Sequence, residues 1–336
     1  MSTNPSFSSN SRPWLWPLLA LLWVGSGFWA LGAGAYPLGA HDVWQALTGQ
    51  TGGVAQQVVW EIRLPRLLTA WLMGASLAAS GAAYQLLFRN PLVSPDILGV
   101  SSGAALGAIL GIFLGLSSLG VQAMAFALGL GTVALVFLLS QFQQRGDRLL
   151  NLVLTGLALA ALTGAFTALL KALADPYEQL PAMSFWLMGS LAQSRLDHTL
   201  NALPWIAGCT AVLFALRWPL NALALGMNQA ITVGVSARRV QALVVACSTL
   251  MTAIAVAQVG VVAWVGLIIP HAARLLTGPA FPRMLPVSMA MGAVFLAMVD
   301  TVCRSWGSHE IPLGVVTAMV GGPVFLLLLM RSQRPS

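Results

Sequence analysis

Few side chains in this chain of 336 residues could do chemistry, and their spacing narrows what that chemistry is. Arg63 and Arg66 stand three apart, which on a helix turns both guanidinium groups to one face. Such a pair engages lipid phosphates by snorkelling or the carboxylates of an acidic partner, and at this point both readings stand. Asp300, Arg304 and Glu310 form a second charged group late in the chain, spaced so that the carboxylates pair with Arg304. His271 and Arg274 follow Pro270, where the proline is expected to stop a short helix and free carbonyls that need donors. Gly99-Val100-Ser101-Ser102-Gly103 spells the G-x-S-x-G nucleophile pattern, which requires a strand before the serine and a helix after it. A proline turn precedes it instead, so Ser101 and Ser102 read as packing residues and no catalytic residue is assigned. Cys209, Cys247 and Cys303 fall within or at the edge of apolar stretches as small packing residues, and no ligand set has metal spacing. No glycine loop ends in Lys-Ser or Lys-Thr, so ATP hydrolysis is not expected on this chain.

The elements that must position these residues are membrane helices. Of all residues 58% are apolar and only 7% charged, and the mean hydropathy is +0.83, a composition of integral membrane proteins. At about 20 residues per crossing, ten candidate spans appear: 14–36, 64–88, 97–116, 122–141, 149–173, 196–218, 240–260, a short one at 261–276, 285–302 and 311–330. The expected fold is all-α and polytopic, one transmembrane domain over 14–330 with tails at 1–13 and 331–336. The first span is too long for a signal peptide and is preceded only by Arg12, so it reads as a retained anchor. In the third span glycine recurs every fourth residue at Gly99, Gly103, Gly107, Gly111 and Gly115. Each costs a soluble helix about 1 kcal/mol relative to alanine, a loss that close helix approach in a bilayer repays.

Basic residues set the expected orientation, since short cytoplasmic loops retain them. With the N-terminus inside, Arg12, Arg89, Arg145, Arg148, Arg217, Arg238, Arg239, Arg274, Arg283, Arg331 and Arg334 are cytoplasmic. Arg63, Arg66, Lys171, Arg195 and Arg304 are outside. The net charge of +7 is then mostly topological bias, and no basic run with interleaved aromatics signals nucleic acid.

The cytoplasmic segment 217–239 is too long for a simple hairpin and too apolar for a linker. Two short amphipathic helices broken at Gly226 and Gly234 fit it, offering Leu223, Leu225, Met227 and Val235 to a neighbouring protein or to lipid. Ion-coupled carriers bury carboxylates along their paths, whereas Asp300 and Glu310 lie near the outer boundary. An ATPase acting through segment 217–239 fits better than an ion-coupled carrier or an intramembrane enzyme.

Several blocks carry a resemblance. They are Arg63-Leu64-Pro65-Arg66, 74–81 with Gln85, 90–99 through Ala104, and 186–190. The series continues with 222–226, 266–271 with Arg274, Asp300 with Arg304, and 310–314 to 322–325. In order and over nearly the whole chain they resemble the permease family of bacterial ABC importers for ferric siderophores, haem and vitamin B12. Val93 departs from the alanine or glycine usual in the Asn-Pro-Leu turn. The resemblance implies ten spans built as an inverted repeat, to which the faint match of 66–85 with 239–258 corresponds.

It implies a pair of permeases, identical or paralogous, two ATP-binding subunits that carry the ATP and magnesium, and a periplasmic or lipid-anchored substrate-binding protein. Arg63, Arg66 and Arg304 would receive that protein's acidic residues. Ala222, Leu223, Leu225, Gly226, Met227 and Val235 would couple to the ATPase. Gly99, Gly103, Gly107, Pro270 and His271 are the expected packing and gating positions. The implied substrate is an iron-siderophore-type chelate, with vitamin B12 or haem as alternatives. The place is the bacterial inner membrane with both termini cytoplasmic, and no cofactor or metal is expected on the chain itself.

Overall fold

A computed structural model describes residues 13–50, 53–142, 148–306 and 310–332. Most of the two expected tails, with Arg12, Arg145 and Arg334, lies outside the described residues, as does the side chain of Met227. The described residues form fifteen α-helices in the order α1 (Leu15–Gly32), α2 (Ala40–Thr48), α3 (Val54–Gln57), α4 (Leu64–Leu87), α5 (Val100–Phe113), α6 (Ser118–Phe142), α7 (Arg148–Leu173) and α8 (Gln179–Met188). Then follow α9 (Leu196–Ala215), α10 (Arg217–Leu225), α11 (Met227–Thr232), α12 (Ala237–Val259), α13 (Val265–Thr277), α14 (Phe281–Ser305) and α15 (Leu313–Ser332). Each of the ten expected spans corresponds to one helix, with α2, α3, α8, α10 and α11 as shorter additions between them. Seven helical segments are long and apolar enough to cross a bilayer, and α5, α13 and most of α15 form shorter apolar helices.

The bundle is built around α4. In its continuous helical run Val54–Leu87, 78% of the most apolar window is buried, against 33% for α1, α6 and the Leu150–Leu173 part of α7. A helix surrounded by protein can carry hydroxyls, because neighbouring backbones satisfy them. Ser76 donates to the Met251 carbonyl at 3.0 Å and Ser80 to the Ser248 carbonyl at 3.2 Å. As one chain ascends the other descends, so α4 and α12 are antiparallel. That is the relation an inverted repeat requires of the matched segments 66–85 and 239–258, which occupy these two helices. Gln85 and Gln258 sit at equivalent places in the match, and each donates its amide to a neighbouring backbone carbonyl, Leu267 at 2.8 Å and His198 at 3.1 Å.

Glycine lets the central helices touch. A Cβ on Gly81 would land on the carbonyl oxygen of Gly266 in α13, and one on Gly74 on the carbonyl of Gly292 in α14. The glycine face of α5 seats on α6, where a Cβ on Gly103 would stand 2.7 Å from the Leu128 carbonyl oxygen and one on Gly107 would strike the Met124 carbonyl. Gly99 lies before that helix with φ 81°, closing a 3-10 turn over Pro95–Leu98. The helix therefore starts at Val100 rather than Ile97, and it ends at Phe113 rather than Leu116.

Proline does not stop α13. The helix runs through Pro270 to Thr277. Proline removes one backbone donor and crowds the carbonyl four residues back, which here is Gly266, the group packed on Gly81. The next carbonyl, that of Leu267, takes its donor from Gln85 of α4. Among the described residues neither His271 nor Arg274 donates to a carbonyl near Pro270, against expectation, and His271 Nδ1 has no hydrogen-bond partner.

Candidate functional site

Two assemblies mark opposite ends of α14. At its C-terminal end, Arg66 Nε donates to Asp300 Oδ1 at 2.7 Å, while its two terminal nitrogens donate to the Glu310 carboxylate at 2.8 and 3.0 Å. Arg304 Nε lies 3.4 Å from Asp300 Oδ2, one helical turn away. Arg63 donates to the carbonyls of Leu31, Gly32 and Tyr36, and Arg304 to those of Ala33 and Ala30. A helix leaves its last carbonyls without partners and concentrates partial negative charge there. Two arginines from different helices thus cap the C-terminus of α1.

The expectation of outward-facing guanidinium groups meets a different geometry here. Arg63 and Arg66 are only 4% and 5% exposed, and the Arg304 side chain 8%. The three are brought together as expected, but around their own chain's carboxylates and α1 carbonyls. Arg63 closes a π-helical stretch, Val58–Arg63, which shifts the helical register just before α4. Of this cluster, Glu310 is the group nearest solvent, with 40% of its side chain exposed.

At the other end of α14 sits the hairpin of α10 and α11. It breaks at Gly226 (φ 143°) and Gly234 (φ 81°), backbone conformations that favour glycine. The hairpin is fixed to the bundle where Asn221 Oδ1 accepts the N–H of Phe281 at 3.1 Å. Leu220 and Leu223 are buried against the bundle and Val235 is 7% exposed, so Leu223 and Val235 are not offered to a neighbour. Amphipathic packing assigns them inward because α10 must bury one stripe against α4, α12 and α14. Leu225 is offered as expected, 77% exposed, and Ala222 is half-buried. Sequence reading missed Trp218, Ile231 and Val233, which are 61%, 58% and 54% exposed on the same hairpin. Their signal was present as large apolar side chains in a loop that carries Arg217, Arg238 and Arg239.

A cavity of about 530 Å³ opens at the Arg66 end, between the end of α5, the start of α6, α8 and the end of α12. Phe185 and Trp186 give it apolar walls, and Gln122, Gln193 and Gln258 supply amides. None of its lining residues is charged.

A polytopic bundle with an apolar, arginine-flanked hairpin fixed to one end and an uncharged cavity at the other has the form of a membrane transport subunit. The FecCD transport family matches residues 20–331, and the chain belongs to that family. The chain is 41% identical over 322 residues to the molybdate import system permease protein of Haemophilus influenzae, covering 94% of this chain and 95% of that one. A probable iron chelatin transport system permease protein of Helicobacter pylori is 37% identical, covering 82% and 83%. A cobalamin import system permease protein of Halobacterium salinarum is 42% identical, covering 82% and 74%. Among solved structures, an inward-facing metal-chelate type ABC transporter superimposes with a TM-score of 0.87 at 41% identity, covering 95% of this chain and all of that one. The chain is an ABC importer permease, a transport subunit that is not itself catalytic.

Proposed function

We propose that this permease moves an iron-siderophore-type chelate across a bacterial inner membrane. The single observation behind that substrate class is the uncharged cavity with its glutamine amides and aromatic walls. A bulky chelate presents carbonyl and amide groups around a metal already satisfied, so it asks its pathway for shape and weak polar contacts rather than ligands or counter-charges. A bare oxyanion such as molybdate, the cargo in one relative's name, asks instead for cationic groups or several converging N–H donors, and of the three amides here that of Gln258 already donates to the His198 carbonyl.

In this reading the Arg66 end faces the periplasm, the hairpin and both termini face the cytoplasm, and the charge bias of the loops supports the orientation. A second permease copy or paralogue completes the conduit. Two ATP-binding subunits, holding ATP and magnesium, grip Leu225 and Met227, which flank the turn at the buried Gly226, with the exposed Trp218, Ile231 and Val233. A substrate-binding protein docks over Arg63, Arg66 and Arg304. Because those arginines are buried, its acidic groups meet Glu310 first and must displace it to reach Arg66. ATP-driven closure of the subunits below would tilt α14 through Asn221 and switch which end is open.

The test is uptake by vesicles holding the permease with its ATPase and binding protein, offered ferric siderophores, haem, cobalamin and molybdate. ATP-dependent accumulation of a ferric siderophore is expected. Accumulation of molybdate alone would overturn the substrate class, and accumulation driven by a proton or sodium gradient without ATP would overturn the coupling.

A further inference from the structure

Two further cavities at the Arg66 end join head to tail. One, of about 590 Å³, is polar and includes Ser117, Ser194, Arg195, Asp197 and His198. The other, of about 450 Å³, runs down the groove between α6, α9 and α12 and shares Leu119 and His198 with the first. Its walls descend from Leu119 to Phe126 on α6, from His198 to Trp205 on α9 and from Gln258 to Leu250 on α12. Seven or eight residues of helix rise about 10–12 Å, most of the way through one leaflet of a hydrocarbon core about 30 Å thick. Leu119 and Trp205 are each 64% exposed at the lip of the groove, so it opens sideways.

The polar cavity has chemistry of its own. Arg195 Nε donates to Asp197 Oδ1 at 3.2 Å, and the pair stands open at the rim, with 69% and 54% of the two side chains exposed. The hydroxyl of Ser194, beside it, is buried and without a hydrogen-bond partner. The accessible guanidinium fork is complementary to a phosphate, and Ser194 is the hydroxyl beside it. Asp197, on the same rim, presents a carboxylate where a phosphate alone would be repelled and an ammonium attracted.

We infer that this paired cavity binds one phospholipid whose headgroup carries both a phosphate and a primary ammonium. The phosphate sits on Arg195 and Ser194, the ammonium on Asp197, and one acyl chain lies in the groove beneath Leu119. Sequence reading placed Arg195 among the basic residues on the outer side, and a bound lipid gives that exception a role beside the cavity of about 530 Å³, with which the paired cavity shares Gln122, Gln193 and Gln258.

Native mass spectrometry of the detergent-purified full-length permease, incubated with phosphatidylethanolamine, phosphatidylglycerol, phosphatidylcholine or inorganic phosphate, tests this. Phosphatidylethanolamine should be retained best, and the double variant S194A/R195A should retain it about tenfold less, the loss of a charge-assisted contact. Asn201→Trp, at an exposed wall of the groove, should lower retention of all three lipids. Asp197→Asn should keep binding but erase the preference for ethanolamine over choline. Unchanged retention in both S194A/R195A and N201W would overturn the site. Equal retention of the three lipids by the unmodified protein would overturn the headgroup class, and occupancy by free phosphate matching that of the lipid would overturn the role of the acyl chain.

Discussion

Asn221 and Phe281 join the two ends of the molecule: the hairpin's amide oxygen accepts a hydrogen bond, 3.1 Å long, from the first residue of the helix whose far end carries Asp300 and Arg304. Twenty-odd residues of helix at about 1.5 Å each make α14 a rod of about 35 Å. In the proposed coupling a push on the hairpin reaches the arginine cluster along this one helix, which carries Pro286 in its second turn. Replacing Asn221 with Ala removes an acceptor worth about 1 kcal/mol. Transport should fall while ATP hydrolysis by the assembled complex persists, and the ratio of substrate moved to ATP consumed measures it.

The exposed and buried faces of the hairpin separate two kinds of variant. Leu225→Glu or Ile231→Glu should leave the melting temperature of the permease unchanged and weaken co-purification of the ATPase. Leu223→Ala should instead cost about 2–5 kcal/mol of stability, as loss of a buried leucine does. If Leu223→Ala left stability intact and released the ATPase, the inward assignment of Leu223 would be wrong.

In the arginine cluster, Asp300 stands between two buried cations. Asp300→Ala leaves Arg66 with the half-exposed Glu310 and Arg304 with no carboxylate partner among the described residues, and breaking a buried pair in this way costs about 3–5 kcal/mol. Glu310→Gln, on the solvent side, should cost about 1 kcal/mol or less. Thermal unfolding in detergent distinguishes them.

Charge reversal at Arg63 or Arg66 is a poor probe of docking for the same reason. A glutamate at position 66 would face Asp300 and Glu310, and the protein should fail to accumulate before any partner is offered. Glu310→Gln is the informative change. With the internal carboxylate neutralised, a docking protein that competes for Arg66 should bind more tightly, and a binding isotherm for the substrate-binding protein reads the shift.

Gly81→Ala tests helix contact. The added methyl meets the Gly266 backbone, which cannot swing aside as a side chain would, and a loss of about 3 kcal/mol is expected. Gly131→Ala is the control, because nothing lies within 4 Å of its Cβ position. It should be neutral or gain up to about 1 kcal/mol from helix propensity. Thermal melts of the two variants give the comparison.

The ten spans, the two breaks in the hairpin and, of the expected glycine face of α5, Gly103, Gly107 and Gly111 were legible in the residues alone, whereas Gly99 and Gly115 lie beyond the helix ends with positive φ. Each depends on local properties: apolar length, backbone freedom at glycine, and a repeat of four. Local pattern could not say where long side chains end up. Arg66 meets Asp300 and Glu310 across separations of 234 and 244 residues, so whether it faces a partner or its own chain depends on helices brought together only by folding. Pro270 looked like a stop because its own helix loses a donor there. In the fold α13 runs through it, and Gln85 of another helix donates to the neighbouring Leu267 carbonyl. Leu223 and Leu225 are indistinguishable by type, and burial divides them only because α10 rests on α4, α12 and α14. Composition and periodicity fixed what each segment is. Contacts between distant segments, settled by packing and by the pairing of buried charges, decided which way each functional side chain points.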